Sequence, residues 1–428
     1  GTGFCNGAVA RPWWSPALSP EPVAARRTPR PSGLILLIAG NTVSSLGNAV
    51  YLIAVTLLLY DITGSAALLG LFQFLALAPG FLLSPVTGAL IDRLSRRSVI
   101  ILADLGRGVL MLVAGLALLI PALRTPWLIL PVSLLAGVGH AFFVPAAQAL
   151  VPSLVEPARL QAANGSRAAA TQLANLSGNA IGGELYALLG APLLFVGNGV
   201  SFLLSAWQES LIPRDSVPAA QTDADRGGLF AAAREGLTLL RGDASLRLVI
   251  GSQAGLFVIS PVLLLSVPFV VIDQLGLAEA VVGLVFAAAL AGGIAVFVGL
   301  RKLPPATLTA LPLPEAGYLA MALAFALLAR SAAAPILFAV SLTSGAAAAL
   351  VYLHGVTWIQ HRSPARFHGR LFAIFEAASA AVAPLSYVLA GVMLDAAGSE
   401  RRWMLFAGVA AISLGWLGVL VLRRRSVG

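Results

Sequence analysis

Few carboxylates fall inside the apolar runs of this sequence, and each of them could carry chemistry. Asp104, Glu184, Glu315 and Glu376 lie in stretches otherwise dominated by Leu, Ala, Val and Gly. An ionisable group in such surroundings is costly and persists where it is paired or faces a wet cavity. A carboxylate on the wall of an apolar cavity holds its proton more tightly than one in water and can exchange it near neutral pH. Glu184 and Glu376 are therefore candidates for a proton site or for binding a cationic substrate. For Glu376 a salt bridge near Arg370 is an equal alternative. Asp104 and Arg107, one helical turn apart, predict an ion pair, either part of a moving latch or a static packing element. Glu315 follows Pro312 and Pro314 and fits a wet kink. Asn41, Ser44, Ser45 and Asn48 fall at i, i+3, i+4 and i+7, which makes a polar stripe on one helix face. Substrate contact and interhelical hydrogen bonding both suit it.

Other chemistries find no residues. A phosphate loop ending Gly-Lys-Ser/Thr is missing: Lys302, the sole lysine, stands between Arg301 and Leu303. Work driven by ATP hydrolysis within this chain itself finds no site. Nucleophile, base and metal ligands do not converge as an intramembrane enzyme requires. His140, His354, His361 and His368 have no metal spacing, and the single Cys5 excludes an intrachain disulfide. No metal or cofactor is expected. The net charge of +9 does not mark a nucleic-acid binder, because the basic residues cluster in short segments between apolar runs.

The elements that must position these groups are membrane spans. Of 428 residues, 58% are hydrophobic and 11% charged, and the mean hydropathy is +0.91. Soluble domains carry roughly 25% charged residues, so lipid must solvate much of this exterior. A crossing helix needs about 20 apolar residues. Twelve such spans are predicted, at 33–59, 66–91, 98–120, 127–151, 165–189, 191–212, 246–272, 278–300, 307–328, 335–360, 371–394 and 403–422. Prolines 79, 85, 145, 261, 268 and 384 fall inside them and predict kinks that neighbouring helices re-satisfy. The fold expected is all-α: a tail at 1–31, a six-helix bundle at 32–212, a linker at 213–245 with an amphipathic helix over 229–240, a second bundle at 246–422 and a basic tail at 423–428. With both termini in the cytoplasm, almost every arginine falls on the cytoplasmic side. Only Arg124, Arg330, Arg401 and Arg402 fall opposite, and Arg107 lies within a span.

Gly88-Ala89-Leu90-Ile91-Asp92-Arg93-Leu94-Ser95-Arg96-Arg97, between the second and third spans, resembles the Gly-x-Leu-x-Asp-Arg-x-x-Arg-Arg signature of the major facilitator superfamily. Gly88 would let two helices approach, Asp92 would cap a facing helix, and Arg93, Arg96 and Arg97 would pair with carboxylates or lipid phosphate. Together with Asp104, Arg107, Gly369 and Arg370 they would form a conformational latch. Thr63-Gly64-Ser65-Ala66, Pro145-Ala146 through Leu150-Val151-Pro152, Leu160 to Asn164 and Gly369-Arg370 are similar to the siderophore and macrolide efflux branch. Gly178-Asn179-Ala180-Ile181-Gly182-Gly183 resembles the exporter element Gly-Pro-x-x-Gly-Gly, with Asn179 in place of proline. Gly178, Gly182 and Gly183, with Pro145, are expected to serve helix packing.

The resemblance implies two six-helix bundles rocking about a central site lined by the first helix, and hence by Asn41, Ser45 and Asn48. A cell-membrane protein acting as a monomer is expected; the intramembrane carboxylates suggest exchange of protons, and the scarcity of intramembrane charge suggests a small amphipathic organic molecule such as a drug, macrolide or siderophore as cargo. Uptake by the same fold and a non-transporting sensor or scaffold are the alternatives.

Overall fold

The computed structural model describes residues 31–213, 244–331, 333–362 and 368–427, and regular structure there is helical throughout. The first half runs α1 (Pro31–Thr63), α2 (Ala66–Leu82), α3 (Ser84–Arg93), α4 (Arg96–Ala117), α5 (Pro126–Leu154) and α6 (Leu160–Ser210). The second runs α7 (Ala244–Pro268), a π-helical turn (Phe269–Gln274), α8 (Ala280–Leu300), α9 (Pro305–Ala310), α10 (Leu313–Arg330), α11 (Ala334–Arg362) and α12 (His368–Val427). Among the described residues, nine helices are long and apolar enough to cross a membrane, and Ala66–Leu82 and Leu405–Val421 are shorter apolar helices. If the two arms of α6 are counted apart, and if both shorter helices cross, the rods match the twelve expected.

Several boundaries differ from those expected, each for a local reason. The second span breaks at Leu83, where Pro85 cannot continue the ladder and instead sits in the first turn of α3. The ninth breaks at Leu311–Pro312 into α9 and α10. Glu315 then falls in the first turn of α10, where the positive end of the helix dipole favours a carboxylate. Helix α1 already includes Pro31, and α12 continues to Val427 through the segment expected as a basic tail. Most of the expected N-terminal tail and nearly all of the linker with its amphipathic helix lie outside the described residues.

α6 and α12 are each two helices joined by one residue. Gly190 takes φ 72° and ψ 166°, and Gly398 takes φ 66° and ψ 175°, a region open in practice to glycine alone. The contacts of α1 show that α6 doubles back. A Cβ at Gly178 would meet Ala49, and one at Gly182 would meet Ile53, whereas Gly47 faces Ser201 and Gly40 faces Ser205. Helix α1 therefore runs parallel to the first arm and antiparallel to the second.

Large apolar side chains at Leu102, Val109, Val113 and Leu116 of α4, and at Leu319, Leu323 and Leu327 of α10, lie exposed along single helix faces. Such stripes belong against lipid, since patches of that size are rare on soluble monomers. The protein is a multi-pass membrane protein.

Candidate functional site

The two halves meet along two helix pairs, and small residues set the closeness of each. In the first pair α2 lies on the leading arm of α12. A Cβ at Gly70 would sit 2.3 Å from the Tyr387 carbonyl oxygen, and one at Gly391 would sit 2.4 Å from that of Ala66. In the second pair the leading arm of α6 lies on α8. A Cβ at Gly283 would sit 2.3 Å from the Asn179 carbonyl oxygen, and one at Gly183 would sit 2.7 Å from the Ala280 Cα. No β-carbon tolerates such separations, so these backbones touch only because the residues are glycines.

All four contacts lie toward the end of the bundle that carries the α1–α2 turn, and polar groups reinforce closure there. The Asp395 carboxylate of α12 accepts hydrogen bonds from the Ser65 hydroxyl at 2.6 Å, the Ala66 N–H at 2.7 Å and the Ala67 N–H at 3.0 Å. It thus caps α2 from the opposite half and satisfies amides left without helical partners. Tyr60 donates to Asp273 across the same divide, and Tyr186 donates to Asp61 within the first half. Glu279, at the start of α8, adds another carboxyl. Partial burial, and then the nearby Asp61 charge, raise its pKa above the ordinary glutamate value.

Away from this closed end the halves enclose a cavity of about 610 Å³. Its wall draws on both halves: Thr56 of α1, Phe72 and Gln73 of α2, Gln172 and Asn179 of α6, Gln253 of α7, Phe286 and Phe297 of α8, Tyr352 of α11 and Tyr387 of α12. The lining is mainly apolar, with uncharged polar groups spaced around it. The amide oxygens of Asn179 and Gln253, one from each half, are buried without a hydrogen-bond partner in the protein.

The residues singled out in the sequence fall in different places. Glu376 is exposed, and the Tyr352 hydroxyl reaches its carboxylate at 3.5 Å, which sets it at the edge of the cavity. Glu184 is exposed on the helix face of Ile181 and Leu188, apart from the cavity. The Asn41 side-chain amide donates to the Thr171 hydroxyl at 2.8 Å and ties α1 to α6. Ser45 and Asn48 do not line the cavity, but they continue the α1 face of Leu52 and Thr56 by successive turns away from the closed end. Pro145 lies inside α5, half-buried.

The expected latch residues divide between the halves. Arg96 donates to the Ala149 carbonyl at 3.0 Å and Arg97 to the Ser210 carbonyl, so both grip their own half. A Cβ at Gly88 would meet nothing within 4 Å. Among the described residues, the close helix approach expected of Gly88 is not made. The side chains of Asp92, Arg93 and Arg370, and the surroundings of Gly369, lie outside the described residues. Arg107 pairs with Asp104, and its guanidinium lies 4.7 Å from the Phe143 ring centre and 4.3 Å from that of Phe202. Beside them sits Glu209, fully buried. Sequence reasoning passed over Glu209, although a carboxylate near the end of the apolar run 191–212 is a signal of the same kind as Asp104.

One solved structure, of a bacterial homologue of the iron transporter ferroportin in an inward-facing state, superposes with a TM-score of 0.69 at 18% identity, covering 91% of this chain and 98% of that one. That likeness concerns the fold alone. The MFS-type transporter YfiS of Bacillus subtilis is 28% identical over 211 residues, 49% of either chain. Macrolide efflux protein A of Streptococcus pyogenes is 30% identical over 153 residues, 35% of this chain and 37% of that protein. The chain thus spans about half or less of the length of these relatives. The profile of the Major Facilitator Superfamily matches residues 37–311, well over half of the sequence. Two helical bundles that touch at one end and part around a shared cavity fit that match, and the chain belongs to the Major Facilitator Superfamily.

Proposed function

We propose that the chain expels a small amphipathic organic molecule by alternating access, as a monomer, in exchange for protons. The observation that carries this reading is the cavity shared between halves. Its 610 Å³ falls within the range of roughly 300–1,000 Å³ that holds drug-sized ligands. The apolar wall suits an amphipathic body. The unpartnered oxygens of Asn179 and Gln253 suit a substrate that donates hydrogen bonds, such as an amine or a hydroxylated ring. The resemblance of part of the chain to a macrolide efflux protein supports the same class.

Efflux is the direction we assign, on the resemblance of part of the chain to an efflux protein. The arginine distribution supports an α1–α2 turn outside the cell, and on that orientation the present conformation is closed outward with its cavity toward the cytoplasm. Cargo enters there, and rocking of the halves releases it on the other side. Glu376, at the cavity edge beside Tyr352, is the carboxylate placed to exchange a proton against cargo.

The test is purified protein in liposomes with an imposed pH gradient, screened against fluorescent cations, macrolides and siderophores. Wild-type protein should move at least one class against its gradient. Glu376→Gln should lower that flux at least tenfold, whereas Glu184→Gln, on the face away from the cavity, should not. Flux by Glu376→Gln equal to wild type would remove Glu376 from the mechanism. Accumulation of cargo under a gradient that should expel it would reverse the direction.

A further inference from the structure

The first half contains a second group of ionisable side chains, separate from the cavity and unused by the mechanism above. Asp104 of α4 and Glu209 of the second α6 arm are both fully buried, and among the described residues the cation paired with Asp104 and facing Glu209 is Arg107. Arg107 donates to one Asp104 oxygen and is closed in by Phe143 and Phe202. The other Asp104 oxygen and both Glu209 oxygens are buried without a partner. The Ser205 hydroxyl, also fully buried, stands against both carboxylates without a hydrogen bond of good geometry.

His140 of α5 lies near Arg107, whose stem packs on Gly139. Arg97, at the head of α4, donates to the Ser210 carbonyl. Helix α1 presents Gly40, whose Cβ position is 3.1 Å from the Ser205 oxygen. Two ionised carboxylates with one guanidinium would leave a net negative charge in a dry interior, which is strongly unfavourable. Glu209 also stands in the last turn of α6, where the negative end of the helix dipole opposes a carboxylate. One added proton removes the excess charge and supplies the donor that the stranded oxygens lack.

We propose that Asp104 and Glu209 form a proton-binding pair clamped by Arg107, holding one proton between them in this conformation. Release is a simple dissociation: the carboxylic O–H breaks, water takes the proton as hydronium, and the carboxylate keeps the electron pair. Asp104 lies about two turns along α4 from Arg97, roughly 10 Å at about 1.5 Å per residue. Arg97 in turn grips the residue after Glu209. Loss of the proton would add a negative charge beside the helix end that Arg97 holds, and so alter the grip of the α3–α4 loop. This coupling role rests on the transport reading above; the proton site itself does not.

The test is infrared spectroscopy of the full chain in lipid, comparing H₂O with D₂O. A protonated buried carboxyl gives a C=O band that shifts on deuteration. Wild type at neutral pH should show it. Glu209→Gln and Asp104→Asn should each lose it, because one carboxylate remains and Arg107 neutralises it. If one variant does not fold, the other decides. A band that persists undiminished in a folded variant would overturn the pair as the site, as would absence of the band from wild type at neutral pH. Saturable sodium binding by wild type that either variant abolishes would also overturn it in favour of a metal cation. Counterflow of a fluorescent organic cation by wild type, with no pH gradient, tests the transport reading by itself. Failure there leaves the infrared result standing.

Discussion

Replacing Asp395 with alanine should loosen the closed end of the bundle without unfolding either half. The carboxylate makes three hydrogen bonds to residues 65–67, all of them across the divide between halves. The Ser65 hydroxyl still accepts from the Leu68 N–H at 3.2 Å within α2, so the helix keeps a cap of its own. Loss of a capping side chain costs about 0.5–2 kcal/mol. A charged acceptor pushes toward the upper part of that range, and the exposure of Asp395 holds it down. About 1–2 kcal/mol is therefore removed from the closed state alone, which lowers the closed-to-open ratio by roughly 5- to 30-fold. Asp395→Asn keeps one acceptor oxygen and should give a smaller shift. The assay is pulsed electron resonance between spin labels at Thr63 and Gln274, on cysteines introduced after Cys5 is replaced by serine. These sites adjoin the Tyr60–Asp273 contact on opposite halves. Long distances should gain population in Asp395→Ala. An unchanged distribution, or one shifted to shorter distances, would refute the interlock.

The same label pair checks a pH effect. Burial and the Asp61 charge raise the Glu279 pKa in the closed state, so that state binds the proton more tightly than one in which Glu279 is solvated. Closure is then favoured below the raised pKa and weakens as pH rises through it. Glu279→Gln should flatten this dependence, and a closed fraction that grows with pH would contradict it. Gly70→Ala should prevent closure and abolish flux, because the new methyl would stand 2.3 Å from the Tyr387 carbonyl oxygen. Gly80→Ala, with nothing within 4 Å, should behave as wild type in both distance and flux measurements. Gln253→Leu should weaken a hydrogen-bond-donating substrate roughly tenfold, about 1.4 kcal/mol, with little change for an analogue lacking the donor. Binding titration by intrinsic tryptophan fluorescence would show whether that contrast is present.

The rods themselves were legible because a lipid-crossing helix must be long and apolar, and both properties are written in composition. The Asp104–Arg107 pair was legible because partners one turn apart need no knowledge of the fold. Which way each rod faces was not. A helix that is apolar all round carries no periodic mark of its inner face, so Glu184 and Glu376 looked alike in sequence although only Glu376 adjoins the cavity. The closed end was hidden for another reason. Asp395 meets residues 65–67 from some 330 positions away, and Tyr60 meets Asp273 from 213 away; no local pattern reports such meetings. The glycines of the interface were partly visible. Gly178 and Gly182 have the small-residue spacing of a packing face and do pack on α1. Gly70, Gly283 and Gly391 gave no comparable sign, since only a partner backbone lying against them makes their lack of a side chain matter.

Gly190 and Gly398 have one more consequence. Each closes a helical hairpin near the end of its half, with almost the same backbone angles, at matching places in the two bundles. A one-residue joint between antiparallel rods leaves no slack, so neither arm can slide along its neighbour without breaking the hairpin. The two arms of each hairpin therefore move together. The repeat of this joint is also what would remain if an ancestral six-helix unit had been copied and fused in tandem, each copy keeping its own rigid corner.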